Sequence, residues 1–139
     1  MTFLVERLSD LRRHLAHLRA LAPRVSGRSS LVLDMSLQND VLFSLLMVAQ
    51  LVIDISGELA ARRGDRFEDY TEAIRMLSRD PRFAPDLVAG LERLPGFRNI
   101  LVHEYVALDL DRVIAALGQL DPVERFCEIV ATMELGGPS

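Results

Sequence analysis

The chain has 139 residues, the usual length of a single domain with one core. Hydrophobic residues make up 50% of it and aromatic residues only 6%, and the abundance of Leu, Val, Ile and Ala favours packed helices over a strand-rich sandwich. The formal net charge of −4 argues against a broadly basic nucleic-acid surface, but it leaves room for one local basic cleft. We therefore expect one all-α domain, residues 1–139.

Cysteine content and hydropathy indicate the cellular compartment. The one cysteine, Cys127, cannot form an internal disulfide, and the Arg-rich N-terminus lacks the pattern of a secretory signal. The most apolar stretch, Val41 to Ile53, contains Ser44 and Gln50 and is shorter than the roughly 20 residues that cross a bilayer. These features predict a protein of the reducing cytoplasm with no membrane span.

Every basic residue among the 16 is arginine. The planar guanidinium binds phosphate or carboxylate at two points, so this choice favours ion pairs and phosphate contacts. Genomic base composition explains the same bias without any function.

Two long helices are predicted in the first half of the chain. The first runs from Phe3 to Leu21, because leucines recur there at alternating four- and three-residue spacings. The second runs from about Ser30 to Arg63, because no glycine or proline interrupts it before Gly57. It is apolar nearly all round in its middle, so it should be the central helix of a bundle or be covered by a second subunit. A homodimer is expected on this ground.

The second helix also carries a polar stripe. At about 100° per residue its members fall within an arc of roughly 120°. They are Ser36, Asp40, Ser44, Gln50, Asp54 and Glu58. Because an unpaired buried charge is costly, the stripe either lines a pocket or forms the one wet side of the helix.

The second half of the chain is predicted to hold shorter helices separated by prolines and aspartates, which makes a bundle of four to five helices in total. The signals are Tyr70 to Leu77 ended by Asp80-Pro81, a start at Ala84-Pro85, a kink or restart at Pro95-Gly96, a cap at Asp109 and a last start at Asp121-Pro122. The tail, residues 136–139, should be frayed.

The segment from Arg98 to Tyr105 holds the residues best suited to catalysis. It combines a fixed cation, the amide of Asn99, the imidazole of His103 and a phenol. Histidine is the usual general base or acid near neutral pH, and arginine the usual stabiliser of charge on a phosphoryl group. These groups meet the minimum for metal-free RNA cleavage, in which a base activates the 2′-hydroxyl and a cation holds the phosphate.

Helical geometry sets a condition on this site. On one regular helix Arg98 and His103 lie about 140° apart. A kink at Pro95, or a partner subunit across a two-fold axis, could bring them together. Judged by residue chemistry alone, an arginine and a histidine beside apolar residues are more often structural groups.

Metal ligands and cofactors are not indicated. His14 and His17 are three residues apart, but they have no nearby cysteine and no obvious third ligand. No metal or cofactor is therefore expected.

The stretch Gly96-Phe97-Arg98-Asn99-Ile100-Leu101-Val102-His103-Glu104-Tyr105 resembles the signature of the HepT-like family of the HEPN superfamily: arginine, four residues, histidine, one residue, tyrosine. The resemblance extends over roughly residues 30 to 133 and includes Val52-Ile53-Asp54-Ile55. It implies a homodimeric helical bundle of HEPN type with endoribonuclease activity that acts as a toxin in a type VII-like toxin-antitoxin system.

The same resemblance assigns roles to residues. Arg98 and His103 become the catalytic pair, with Asn99 and Asp54 in support. Tyr105 becomes the site where a minimal nucleotidyltransferase antitoxin of the MntA type adds AMP and so blocks the RNA phosphate site. RNA affinity would depend on a few arginines, with Arg62, Arg63 and Arg93 as candidates. A non-catalytic dimer that binds nucleotide or recruits the transferase, and a degenerate structural homologue, are the alternatives.

Overall fold

The computed structural model describes residues 2–104 and 107–135. These residues form eight α-helices and no strand. The helices are α1 (Thr2–Leu21), α2 (Arg28–Leu33), α3 (Met35–Arg62), α4 (Tyr70–Arg75), α5 (Pro85–Leu91), α6 (Leu94–His103), α7 (Leu110–Leu117) and α8 (Asp121–Leu135). The all-α class is confirmed, whereas the described helices outnumber the four to five predicted.

The leucine stripe of α1 forms one side of the hydrophobic core. Each of its members is buried: Leu4, Leu8, Leu11, Leu15 and Leu18. They pack against α3 and α8, while the intervening arginines face outward. The predicted first helix is therefore confirmed, because a period of about 3.6 residues places one side chain in each turn on the same face.

The predicted helix from Ser30 to Arg63 is wrong at its beginning, because the chain breaks at Asp34. The Asp34 backbone is extended, and its carboxylate accepts a hydrogen bond of 3.0 Å from the Leu37 amide at the start of α3. Gln38 also reaches back and donates to the Leu31 carbonyl of α2 at 3.2 Å. The two side chains satisfy backbone groups on both sides of the break, which lets α2 and α3 form separately.

The α3 helix is the centre of the molecule. It contacts α1, α2, α4 and α6, and its length and hydropathy are those of a helix that could cross a membrane. In this fold 61% of the most apolar 18-residue stretch of α3 is buried inside the protein. Burial between other helices accounts for this composition, as expected for a core helix that is apolar nearly all round.

The polar stripe of α3 finds different partners along its length. Asp40 and Ser44 face α1, where they meet His17 and His14. Gln50 and Asp54 bond to each other and lie against α6. Farther along, Glu58 pairs with Arg62 at 3.4 Å. The stripe is thus neither one pocket nor one wet side, but a set of local polar contacts.

In the second half of the chain, α5, α7 and α8 begin at the prolines and aspartates that predicted them. Ala84 precedes α5, which begins with Pro85, and the Asp109 carboxylate caps α7 by accepting from the Asp111 amide at 2.9 Å. Asp121 is the first residue of α8. At Gly90 a Cβ would lie 3.0 Å from the Pro122 ring, so glycine permits the close approach of α5 to α8.

Candidate active site

The α6 helix presents one face to the core and another to solvent. It begins at Leu94 with Pro95 in its first turn, where the missing N–H of proline costs little. Pro95 and Leu101 are buried, whereas Asn99, Val102 and His103 are exposed. The buried face packs against α3, so α3 provides the support for any chemistry carried by the outer face.

Arg98 lies at the boundary between these two faces and is held by amide oxygens. Its Nε donates to Oε1 of Gln50 on α3 at 2.8 Å, and its Nη1 donates to Oδ1 of Asn99 at 3.1 Å. The guanidinium is therefore fixed at two of its three nitrogens. Asn99 accepts one of these bonds, and its role in support of the site stays a prediction.

Asp54 reaches the site through Gln50. The Gln50 Nε2 donates to Asp54 Oδ1 at 2.9 Å, one turn farther along α3. The result is a chain of hydrogen bonds from Asp54 through Gln50 to Arg98. Sequence reasoning placed Gln50 in the polar stripe but gave it no role at the site. The signal available was its four-residue spacing from Asp54, which puts both on one face of α3.

His103 is the last residue of α6 and is exposed. The helix runs unbroken from Leu94 to His103, so the positions of Arg98 and His103 remain about 140° apart around its axis. Pro95 lies at the start of α6, before both Arg98 and His103. A bend there cannot change the angle between these two residues around the helix axis. The explanation by a kink at Pro95 is therefore wrong, and the alternative, a partner subunit across a two-fold axis, stays a prediction.

Tyr105, predicted to be the modification site, lies outside the described residues, as does the tail from residue 136 to residue 139. Its neighbour Glu104 follows α6 as the C-cap, with its amide donating to the Ile100 carbonyl at 2.9 Å. The predicted role of Tyr105 therefore depends on the family pattern.

The two histidines of α1 have polar partners on α3. His14 Nδ1 lies 3.2 Å from the Ser44 hydroxyl, and His17 Nε2 lies 3.7 Å from Asp40. Burial, and then the nearby charge of Arg13, lowers the pKa of His14. Within residues 2–104 and 107–135, no group of three or more potential metal ligands is found.

Two of the arginines suggested for RNA binding have structural roles. Arg62 pairs with Glu58 and Glu134, and Arg63 pairs with Asp65 and donates to the Met76 carbonyl. Arg93 lies elsewhere, on a mostly apolar groove of about 740 Å³ between α6 and the α7–α8 segment. Arg112 also lines this groove, whereas Arg98 and His103 do not.

Comparison with known proteins gives a family match over most of the chain. The sequence model of the family described as "Ribonuclease HepT-like" matches residues 8–130. This range contains every described helix except the ends of α1 and α8, and it includes the whole segment from Arg98 to Tyr105.

Curated relatives match over shorter regions. Two Archaeoglobus fulgidus proteins, whose names mark them as provisional RNases, are 35% and 31% identical over 81 and 80 residues. Each match covers 58% of this chain and 61% of the relative, so the chain spans less than two thirds of their length. The mRNA nuclease HepT of Shewanella oneidensis is 25% identical over 99 residues, covering 70% of this chain and 74% of the relative.

Solved structures share the fold over nearly the whole length. A tri-AMPylated HEPN toxin of Shewanella oneidensis, in complex with an MNT antitoxin, superposes with a TM-score of 0.79 and 21% identity. That match covers 93% of this chain and 96% of the other. A toxin-antitoxin structure with AMP-PNP gives a TM-score of 0.80 at 20% identity, covering 95% and 99%.

Proposed function

Because the chain belongs to the ribonuclease HepT-like family, we propose that it is the endoribonuclease toxin of a toxin-antitoxin pair. The observation that carries the proposal is the state of Arg98. Its guanidinium is fixed by two neutral side chains, those of Gln50 and Asn99. Arg98 also lies on the same helix, α6, as the exposed imidazole of His103. A cation held by neutral groups keeps its charge available for a phosphate.

The reaction that these residues suit is an internal transesterification. His103 accepts the proton of an RNA 2′-hydroxyl, the 2′-oxygen forms a bond to the adjacent phosphorus, and the bond to the 5′-oxygen breaks. Arg98 stabilises the charge that develops on the phosphoryl oxygens. The leaving 5′-oxygen takes up a proton from water, so the products are a 2′,3′-cyclic phosphate and a 5′-hydroxyl.

The proposal includes a homodimer, because one regular helix does not aim Arg98 and His103 at the same atom. In a two-fold dimer Arg98 of one subunit can work with the histidine of the other. Two-fold symmetry then produces two equivalent sites.

Control of the toxin is proposed to occur at Tyr105. A minimal nucleotidyltransferase antitoxin of the MntA type would join the tyrosine oxygen to the α-phosphorus of ATP, with pyrophosphate as the leaving group. The added nucleotide brings negative charge and bulk two residues from His103, which would exclude the RNA phosphate. Solved relatives of this fold include a tri-AMPylated toxin bound to an MNT antitoxin.

The catalytic assignment is tested by RNA cleavage with Arg98→Ala and His103→Ala. Matched controls are Arg13→Ala and His17→Ala, which remove the same side-chain types from exposed positions on α1. We expect both site variants to lose cleavage and both controls to keep it. Site variants as active as the parent would refute the assignment.

A mixed dimer tests the shared site. Combining Arg98→Ala chains with His103→Ala chains leaves one complete site if the two residues act across the interface, and none if both act within one subunit. We expect the mixture to regain part of the parent activity, whereas each variant alone stays inactive. Continued inactivity of a mixed dimer demonstrated by mass would place both residues in one subunit.

The control step is tested by mass after incubation with the partner and ATP. We expect a gain of AMP units that Tyr105→Phe abolishes, together with loss of RNA cleavage by the modified parent. A gain that survives Tyr105→Phe would place the modification on another residue.

A further inference from the structure

Gln50 occupies the position between an acid and the proposed catalytic cation. Its Oε1 accepts from Arg98 Nε at 2.8 Å, and its Nε2 donates to Asp54 Oδ1 at 2.9 Å. An ionised carboxylate accepts hydrogen bonds only, so Asp54 selects the NH₂ end of the amide. The carbonyl end must then face Arg98. Asp54, which accepts, and Arg98, which donates, therefore both favour this orientation of the Gln50 amide.

Arg98 differs from most arginines in this protein in the groups that bind its guanidinium. Ten of the 16 arginines form an ion pair with a described carboxylate. Arg98 has no carboxylate within 4.0 Å among the described residues and bonds to Gln50 and Asn99 instead. An adjacent carboxylate would compensate the cation and compete with a phosphate for its N–H groups.

We infer that Gln50 is a positioning residue for Arg98, one that fixes the guanidinium through Nε while leaving its full charge for the substrate phosphate. Asp54 contributes by orienting the Gln50 amide. Because the Gln50 side chain lies between them, the Asp54 carboxylate does not contact Arg98 directly. The inference rests on the proposed function, since it assigns the phosphate of RNA as the group that Arg98 meets.

Two substitutions of Gln50 distinguish the loss of its hydrogen bond to Arg98 from a change of charge beside Arg98. Gln50→Met keeps the length of the side chain but has no carbonyl acceptor, so Arg98 stays cationic and loses its support. Gln50→Glu keeps an acceptor within reach of Nε but places one negative charge between Arg98 and Asp54. Gln38→Met is the matched control, because Gln38 is on the same helix but bonds to the Leu31 carbonyl.

Cleavage kinetics should distinguish these effects. We expect Gln50→Met to lower kcat by about 10- to 100-fold, the equivalent of one charge-assisted hydrogen bond, with a smaller change in KM. Gln50→Glu should raise KM and weaken the salt dependence of RNA binding, because one phosphate contact is compensated. In the inactive Arg98→Ala background the readout is RNA binding, and there Gln50→Met should not lower the remaining affinity further, because Gln50 acts through Arg98.

A spectroscopic measurement keeps the inference testable apart from catalysis. The Arg98 Nε–H signal, assigned by its loss in Arg98→Ala, should exchange slowly with water in the parent and in Gln38→Met, but rapidly in Gln50→Met. An unchanged signal in Gln50→Met overturns the inference, as does unchanged cleavage by that variant. A parent that does not cleave RNA, yet shows an Nε–H signal that depends on Gln50, overturns the proposed function and leaves the coupling of Gln50 to Arg98 standing.

Discussion

Arg98 on α6 donates through Nε to the Gln50 carbonyl on α3 at 2.8 Å. This bond joins residues 48 positions apart in the chain and fixes the guanidinium relative to the central helix. The second bond, from Nη1 to Asn99, uses the neighbouring residue on α6 itself. Arg98 is thus held from two helices, and the fork shape of its guanidinium makes this possible.

The first prediction concerns that fork. Arg98→Lys keeps a positive charge but replaces the planar group with a single ammonium, which cannot bond to Gln50 and Asn99 and also present two N–H groups to a phosphate. We expect RNA cleavage to fall by about 10-fold or more while the thermal midpoint changes little. The measurement is kcat/KM on RNA alongside a melting curve. Parent-like activity in Arg98→Lys would show that charge alone is required.

Local patterns in the sequence predicted the parts of the fold that depend on local forces. The stripe of α1 from Leu4 to Leu18 repeats with helical period, and burial of one face follows directly from it. The starts at Pro85 and Asp109 follow from proline geometry and side-chain capping, which need only neighbouring residues. Such features are readable without knowledge of the rest of the molecule.

The parts that were missed depend on competition or on distant contacts. Asp34 is compatible with a helix interior, but its carboxylate gains more by capping α3, so the helix predicted from Ser30 to Arg63 divides there. The bond from Gln50 to Arg98 exists only because α6 packs on α3. Residue spacing revealed the Gln50–Asp54 face, but nothing local indicated which distant side chain it would meet.

A second prediction compares two buried serines on α3. The Ser44 hydroxyl lies 3.2 Å from His14 Nδ1, whereas the fully buried Ser56 hydroxyl has no hydrogen-bond partner among the described residues. Ser44→Ala should lower the free energy of unfolding by about 1 kcal/mol. Ser56→Ala should leave it unchanged or raise it by up to about 1 kcal/mol, because an unpaired buried hydroxyl is costly. Urea denaturation measures both, and an equal loss in the two variants would contradict the difference in bonding.

A third prediction concerns the pH dependence of stability. Burial, Arg13 and His17 lower the pKa of His14 below its ordinary value of 6.5, and Asp10 opposes them. The unfolded chain therefore binds a proton before the folded chain does, so this residue makes stability fall as the pH drops through that value. Between about pH 8 and about pH 5 the parent should lose more free energy of unfolding than His14→Gln. Urea titrations across this range measure the difference, with His103→Gln, which removes an exposed histidine on α6, as the control. A parent and a His14→Gln variant with parallel pH profiles would refute the linkage.

The last prediction concerns the reactivity of Cys127. Its side chain is 2% exposed, and burial raises its pKa to about 11. The thiolate is the reactive form, so at about pH 8 the folded protein holds roughly one thiolate per thousand molecules, against roughly one in ten for a thiol with the ordinary pKa of 9.0. Alkylation by iodoacetamide should therefore be about 100-fold slower in the folded protein than in urea, before steric protection is counted. Mass measured over time gives both rates. Similar rates in the two states would mean that the Cys127 site opens readily, and α8 would then not be firmly packed against α1.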